Sequence, residues 1–275
     1  MRPRSRIATQ RFAATARVGG DQKTHLKSLV VVLAQIYYNQ GEYAEAEPLF
    51  KRSVAISEKA LGPEHPDVAT ILNNLAGLYR IQGKYTEAEP LFKRSVAISE
   101  KALGPEHPDV ASTINNLALL YYNQGKYSEA EPLFKRSLKI WEKVLGPEHP
   151  DVATSLNNLA ALYRMESKYS ESEPLFKRSL AISERALGPE HLSVARSLNG
   201  LAELYRAQGR YAEAEPLYQR ALTIREKMLG PEHLDVATTL DNYAALLKSM
   251  KREAEATKME VKAKTIRSKL GSKTQ

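Results

Sequence analysis

An all-α solenoid of about six antiparallel helix pairs is the fold class that this 275-residue sequence predicts. Three observations carry it. The string Leu-Gly-Pro-Glu-His begins at Leu61, Leu103, Leu145, Leu187 and Leu229, a step of 42 residues each time. Residues 61–102 and 103–144 are identical at 31 of 42 positions. Within one period, apolar residues recur at three- and four-residue steps twice over, on either side of a glycine turn. A fixed period of this length marks a chain in which each unit buries its apolar face against the next. An enzyme core rarely repeats itself this way, because an active site needs different residues in different places.

The chain opens on a basic arm, 1–24. Arg2, Arg4, Arg6, Arg11 and Arg17 fall within 1–20 beside no acid. Its Arg, Ala, Ser and Thr content overlaps with organellar transit peptides, but it lacks the apolar stretch of a secretory signal. A disordered lead-in ending near Gly19-Gly20 is expected. The first pair follows at 25–60, with Ala34, Tyr37, Gly41, Tyr43, Ala46 and Phe50 in register. Val30-Val31-Val32 stands there where later pairs carry an Asn pair, and either the arm or a partner is expected to cover that face.

The second pair, 66–102, shows the pattern in full. Val68, Leu72, Leu75, Ala76 and Tyr79 form one apolar stripe and predict a helix over about 66–82. Gly83-Lys84 is the turn. Ala88, Leu91, Phe92, Val96 and either Ile98 or Ser99 predict a second helix over about 85–102. Ala76 and Ala88 let the two helices approach, and Tyr79, Tyr85 and Phe92 fill the space around them. Pro66 suits a first helical turn, where its missing N–H goes unused. His65 beside it is a weaker capping residue than Asp or Ser. Pro48, Pro90, Pro132, Pro174 and Pro216 recur early in each second helix, where a small bend is expected. Further pairs are predicted at 108–144, 150–186, 192–228 and 234–270, then a tail at 271–275. The last pair is degraded: Leu247, Lys251, Glu253 and Glu260 replace Tyr, Gly, Tyr and Phe. A polar outer helix is what a terminal unit needs against water.

Composition narrows the function. There is no cysteine, which excludes disulfide scaffolds, thiol enzymes and cysteine metal sites. No apolar run approaches the roughly 20 residues of a membrane span, so membrane insertion is not expected. The net charge of +8 sits at the two ends, and the stretch 21–247 is slightly acidic. Nucleic acid is therefore not the expected partner. His65, His107, His149, His191 and His233 lie one repeat apart, about 10 Å by helix packing distance. They cannot share a metal that needs bonds near about 2 Å, and loop packing or capping is their expected task. The Glu-Ala-Glu-Pro glutamates read as a solvated face. No phosphate loop and no nucleophile–base pair stands out, so neither an enzyme nor a cofactor is expected.

The frame Leu75-Ala76-x-x-Tyr79-x-x-Gln82-Gly83-x-Tyr85-x-x-Ala88 resembles the tetratricopeptide repeat. The 42-residue period, with Leu-Gly-Pro-Glu-His-Pro-Asp-Val-Ala before Leu-Asn-Asn-Leu-Ala-x-Leu-Tyr, resembles the kinesin light chain variety of that repeat. The likeness covers about 25–270. It implies a right-handed superhelix whose first helices line a concave groove able to hold an extended peptide or a helix. It also implies a cytoplasmic protein. The family's heptad coiled coil has no counterpart before residue 25.

In proteins of this kind, Asn of the first helices meets the peptide backbone and Arg near their ends meets acidic side chains. Carried over, the Asn positions are Asn74, Asn116, Asn158 and Asn242, with Gly200 in the pair at 192–228. The Arg position holds Arg80, Tyr122, Arg164, Arg206 and Lys248. A further Arg of the second helix falls on Ser99, Trp141, Ser183 and Arg225, and only Arg225 keeps it. The chemistry stands without the family. An amide both donates and accepts, so it can hold a peptide unit of any sequence, and arginine offers several donors to a carboxylate. One Asn of each pair is also expected to tie its helix to a neighbour's backbone. Trp141 and Tyr122 are read as an aromatic patch in the groove, since tryptophan is a frequent binding anchor. The function expected is a protein-interaction scaffold or adaptor for an acidic or mixed segment. The alternative is an assembly module, or part of a larger signalling protein, that self-associates through its ends.

Overall fold

The computed structural model describes residues 22–271. Residues 1–21 and 272–275, with most of the predicted arm and tail, lie outside the described residues. Twelve helices are described. The first pair is α1 (Gln22–Gln40) and α2 (Tyr43–Leu61), followed by α3 (Pro66–Ile81) with α4 (Tyr85–Leu103). Next come α5 (Pro108–Asn123) with α6 (Tyr127–Leu145), and α7 (Pro150–Met165) with α8 (Tyr169–Leu187). The last four are α9 (Leu192–Ala207) with α10 (Tyr211–Leu229), and α11 (Leu234–Ser249) with α12 (Glu253–Gly271). The chain falls into two compact units, Met1–Leu120 and Tyr121–Gln275. Within each, successive helices pack on one another, and in the second the first helices α7, α9 and α11 also touch in turn.

Each pair closes around small residues. Ala76 and Ala88 are fully buried where α3 meets α4, and Phe50, Phe92, Phe134, Phe176 and Tyr218 are buried at the same point of five second helices. Buried serines bind the helices further. Ser95 Oγ donates to the Ala69 carbonyl at 2.7 Å, and Ser179 Oγ to that of Ala153 at 2.7 Å. The internal prolines are accommodated as the spacing predicts: α2, α4, α6, α8 and α10 each run on through theirs.

The histidines are the N-caps themselves. Nδ1 of His65 accepts the backbone N–H of Asp67 at 3.1 Å, and His107, His149, His191 and His233 repeat the bond at 3.1–3.2 Å. Each satisfies one of the amides that a helix start leaves without a partner. Imidazole is thus a working cap here, one of the two tasks the sequence reading expects of it.

One departure concerns the glutamates. Four of those that stand just before an internal proline are not simply solvated. Glu47 accepts from the Tyr79 hydroxyl at 3.3 Å and pairs with Lys84 at 2.9 Å. Glu131 does the same with Tyr163 (3.1 Å) and Lys168 (3.3 Å), and Glu173 with Tyr205 (3.1 Å) and Arg210 (2.7 Å). Glu215 accepts from Tyr243 at 2.8 Å and pairs with Arg252 at 2.7 Å. Each carboxylate therefore clamps its helix to the next pair.

At the turn inside a pair the chain takes the left-handed conformation that glycine favours, and Gly41, Gly83, Gly125 and Gly209 hold it with φ of 72–78°. Ser167 (59°) and Lys251 (60°) hold the same left-handed conformation with a side chain.

Candidate peptide-binding surface

Spacing of three and four residues along a first helix brings side chains onto one face. On α3 this sets Asn73, Asn74, Gly77 and Arg80 side by side. With Gln35 and Tyr38 of α1 and Asn116 of α5 they line a recess of about 90 Å³ in the first unit. Gly77 leaves its part of the wall without a side chain; an added Cβ would meet only the Tyr38 hydroxyl, at 3.8 Å. Its walls are polar. Asn116 Nδ2 donates to Asn73 Oδ1 at 3.0 Å, so an amide ladder links α5 to α3. Burial pulls the Arg80 guanidinium below its ordinary pKa and pushes the Tyr38 phenol up. The Tyr38 ring is held edge-on to Tyr43 and Phe50, with centroids 5.9 and 6.4 Å apart.

The second unit carries the same repeat positions with different contents. Asn242 Nδ2 donates to Asn199 Oδ1 at 3.3 Å, the ladder again. Here, however, a carboxylate stands in the middle. Glu203 Oε1 accepts from Asn199 at 2.6 Å and Asn242 at 2.8 Å, while Oε2 pairs with Arg164 at 2.8 Å. Tyr122 lies within the electrostatic reach of Arg164 and Glu203, and burial raises its phenol pKa. At Gly200 the ladder position has no side chain because the Phe176 ring fills it: a Cβ there would lie 2.3 Å from a ring carbon.

The carried-over residues divide accordingly. Asn74, Asn116 and Arg80 meet at the first unit's recess. Asn242 and Arg164 meet on Glu203. Asn158 is half-buried on α7, and Arg206 is half-buried near the Tyr218 hydroxyl. Lys248 pairs with Glu260 at 2.5 Å.

Three residues do not fit the expected surface. Trp141 is only 6% exposed, so its indole is a core group and not an open anchor. Tyr122 instead pairs with Tyr127, at 5.7 Å between ring centroids. Arg225 Nη1 donates to the Asp235 carbonyl at 3.1 Å and to the Thr239 hydroxyl, joining α10 to α11. Asn73 and Asn199 are each tied to the next ladder Asn by a side-chain bond.

Sequence reasoning passes over Gly77 and Glu203. The signal is a comparison down one repeat column, where Gln35, Gly77, Leu119, Ala161, Glu203 and Ala245 stand. Glu203 is the one acid in that column. Among the described residues no three His, Asp or Glu side chains converge as a metal site would need. No described helix is long and apolar enough to cross a membrane.

The tetratricopeptide repeat family model matches residues 27–101, 67–140, 109–185, 151–227 and 193–269, overlapping windows that span almost all the described chain. The kinesin light chain TPR-like repeats from Podosopora anserina align at 32% identity and a TM-score of 0.63, over 77% of this chain and 99% of that one. This chain is a tetratricopeptide repeat protein of the kinesin light chain-like type. Two further neighbours share the tetratricopeptide repeat fold. BtubC (BKLC) from P. vanneervenii has 24% identity and a TM-score of 0.63, over 84% of this chain and 90% of its own. A tetratricopeptide repeat protein from Parabacteroides merdae has 21% identity and a TM-score of 0.55, over 87% and 79%. No curated protein matches closely enough to count as a relative. Tetratricopeptide repeats generally serve protein–protein interaction, and that coarse role comes with the family.

Proposed function

We propose that this tetratricopeptide repeat protein is a scaffold or adaptor that holds an extended or helical peptide segment bearing acidic side chains. The binding surface is the first-helix face, with Asn74, Asn116 and Arg80 in the first unit and Asn158 and Arg206 in the second. The role is binding and not catalysis, and the setting is the cytoplasm, as the kinesin light chain-like resemblance implies. The observation that supports this reading most is the recess at Gly77, where four amides and a guanidinium surround open space. Amides there suit a peptide backbone and the guanidinium suits a carboxylate.

The test is fluorescence anisotropy with acidic, neutral and basic peptide sets of equal length. The wild type is compared with Asn74→Ala/Asn116→Ala, after both show the same melting curve. Preference for acidic peptides, lost in the variant, supports the reading. Equal binding by both proteins, or no preference among the sets, refutes it.

A second reading, self-association through the first pair, draws on α1. Leu29, Val32 and Ile36 are exposed there. The residues one period after Leu29 and Ile36, Ile71 and Leu78, are buried. Light scattering across a concentration series decides it, because a constant monomer mass removes the assembly reading.

A further inference from the structure

Moving three repeats along the chain carries the first unit's recess onto a matching set in the second. Tyr38 falls on Arg164, Asn73 on Asn199, Gly77 on Glu203 and Asn116 on Asn242. In the first unit this place is an open recess. In the second it holds the Glu203 carboxylate, with one oxygen on Arg164 at 2.8 Å and the other shared by Asn199 (2.6 Å) and Asn242 (2.8 Å).

We infer that Glu203 is a built-in stand-in for a ligand carboxylate. It closes the second unit's site to acidic side chains and confines their recognition to the Gly77 recess. This rests on the peptide-binding reading above and says which of two equivalent places does the work.

Three points support the assignment. The carboxylate is held by the side-chain types that line the open recess, a ladder of two amides with a guanidinium beside it, the guanidinium here coming from the Tyr38 position and not from that of Arg80. Both of its oxygens are engaged, so Arg164 already faces a carboxylate that an incoming one would have to displace. The backbone also tolerates other residues in this column: Ala161 and Ala245 occupy it in neighbouring pairs of the same unit. Specificity arises here from a residue that excludes, a charge of the ligand's own sign set in the place the ligand would take.

The experiment exchanges the contents of the two places. Glu203→Ala empties the second site, and Gly77→Glu fills the first, where the 3.8 Å clearance at Gly77 accepts a Cβ. The probe is an acetylated, amidated decapeptide alternating Glu and Gly. A Gln–Gly peptide of equal length is the control, and binding is followed by calorimetry. Glu203→Ala should add a second site for the Glu peptide, and Gly77→Glu should weaken the first by about tenfold, the usual scale for a charged hydrogen bond. The Gln peptide should change little. Glu203→Gln keeps the size of the side chain and removes its charge; it should admit the Glu peptide more weakly than Glu203→Ala does.

Unchanged stoichiometry and affinity in Glu203→Ala overturns the inference. If wild-type binding is then still lost in Gly77→Glu, the peptide-binding reading survives alone. If neither the wild type nor Glu203→Ala binds the Glu peptide, both fail. If only Glu203→Ala binds it, the Gly77 recess is not a carboxylate site, and the confinement of recognition to that recess is refuted.

Discussion

Replacing Glu173 by Gln isolates the charge in one inter-pair clamp. Glu173 lies on α8, accepts from Tyr205 of α9 at 3.1 Å, and pairs with Arg210 at 2.7 Å and Lys177 at 2.7 Å. Lys177, then Arg210 and Tyr205, hold its carboxyl at about 2 against an ordinary 4.5. Counted in full, that depression corresponds to about 3 kcal/mol. The side chain is 21% exposed and its cationic partners more so, so solvent and salt screen much of it, and about 1 kcal/mol is expected. Gln keeps an acceptor for Tyr205 and loses the attraction to both cations. The pH dependence fixes the sign. A carboxylate with a depressed folded pKa stabilises fully above about 4.5, and the contribution fades as pH falls toward about 2. Urea unfolding of the wild type and Glu173→Gln at pH 7, 4 and 3 should show a gap of about 1 kcal/mol at pH 7 that narrows at each lower pH. A gap that stays constant from pH 7 to pH 3, or no gap at pH 7, refutes the clamp as a charged interaction.

Two further outcomes follow from the fold. Ser167 holds φ of 59° where four other pairs use glycine, so Ser167→Gly should raise stability by about 1 kcal/mol, read from the urea midpoint. An unchanged or lower midpoint contradicts the strain. Trp141 is the protein's one tryptophan and is 6% exposed, so iodide should barely quench its emission in the native state and should quench it strongly in urea. Free quenching of the native protein would put the indole back on the surface.

The period made the fold legible. Boundaries for α3 and α4 agree with the spacing to within a residue, because Pro66, Gly83 and the apolar stripe are each local signals. The caps were half legible. The sequence places histidine at each helix start, but only geometry shows Nδ1 accepting the amide two residues on. The clamps were hidden because their partners lie 32 and 37 residues apart, beyond any window in which charge patterning is read. At the candidate surface, carrying the repeat motif along the chain found the ladder asparagines and Arg80. It also mistook Trp141 and Arg225, whose exceptional identities reflect local packing and a tie between α10 and α11. Glu203 was missed for the opposite reason. A glutamate on a helix is ordinary by type, and its meaning appears only when Arg164, Asn199 and Asn242 are seen to converge on it.

The most direct test is to watch the side-chain amides while an acidic peptide is added. In nitrogen-15 spectra of the full chain, titration with the Glu–Gly decapeptide should shift the amide groups of Asn73, Asn74 and Asn116 first. Those of Asn199 and Asn242 should stay in place, since Glu203 already occupies their site. Shifts confined to the second helices, or equal shifts at Asn116 and Asn242, would contradict the account.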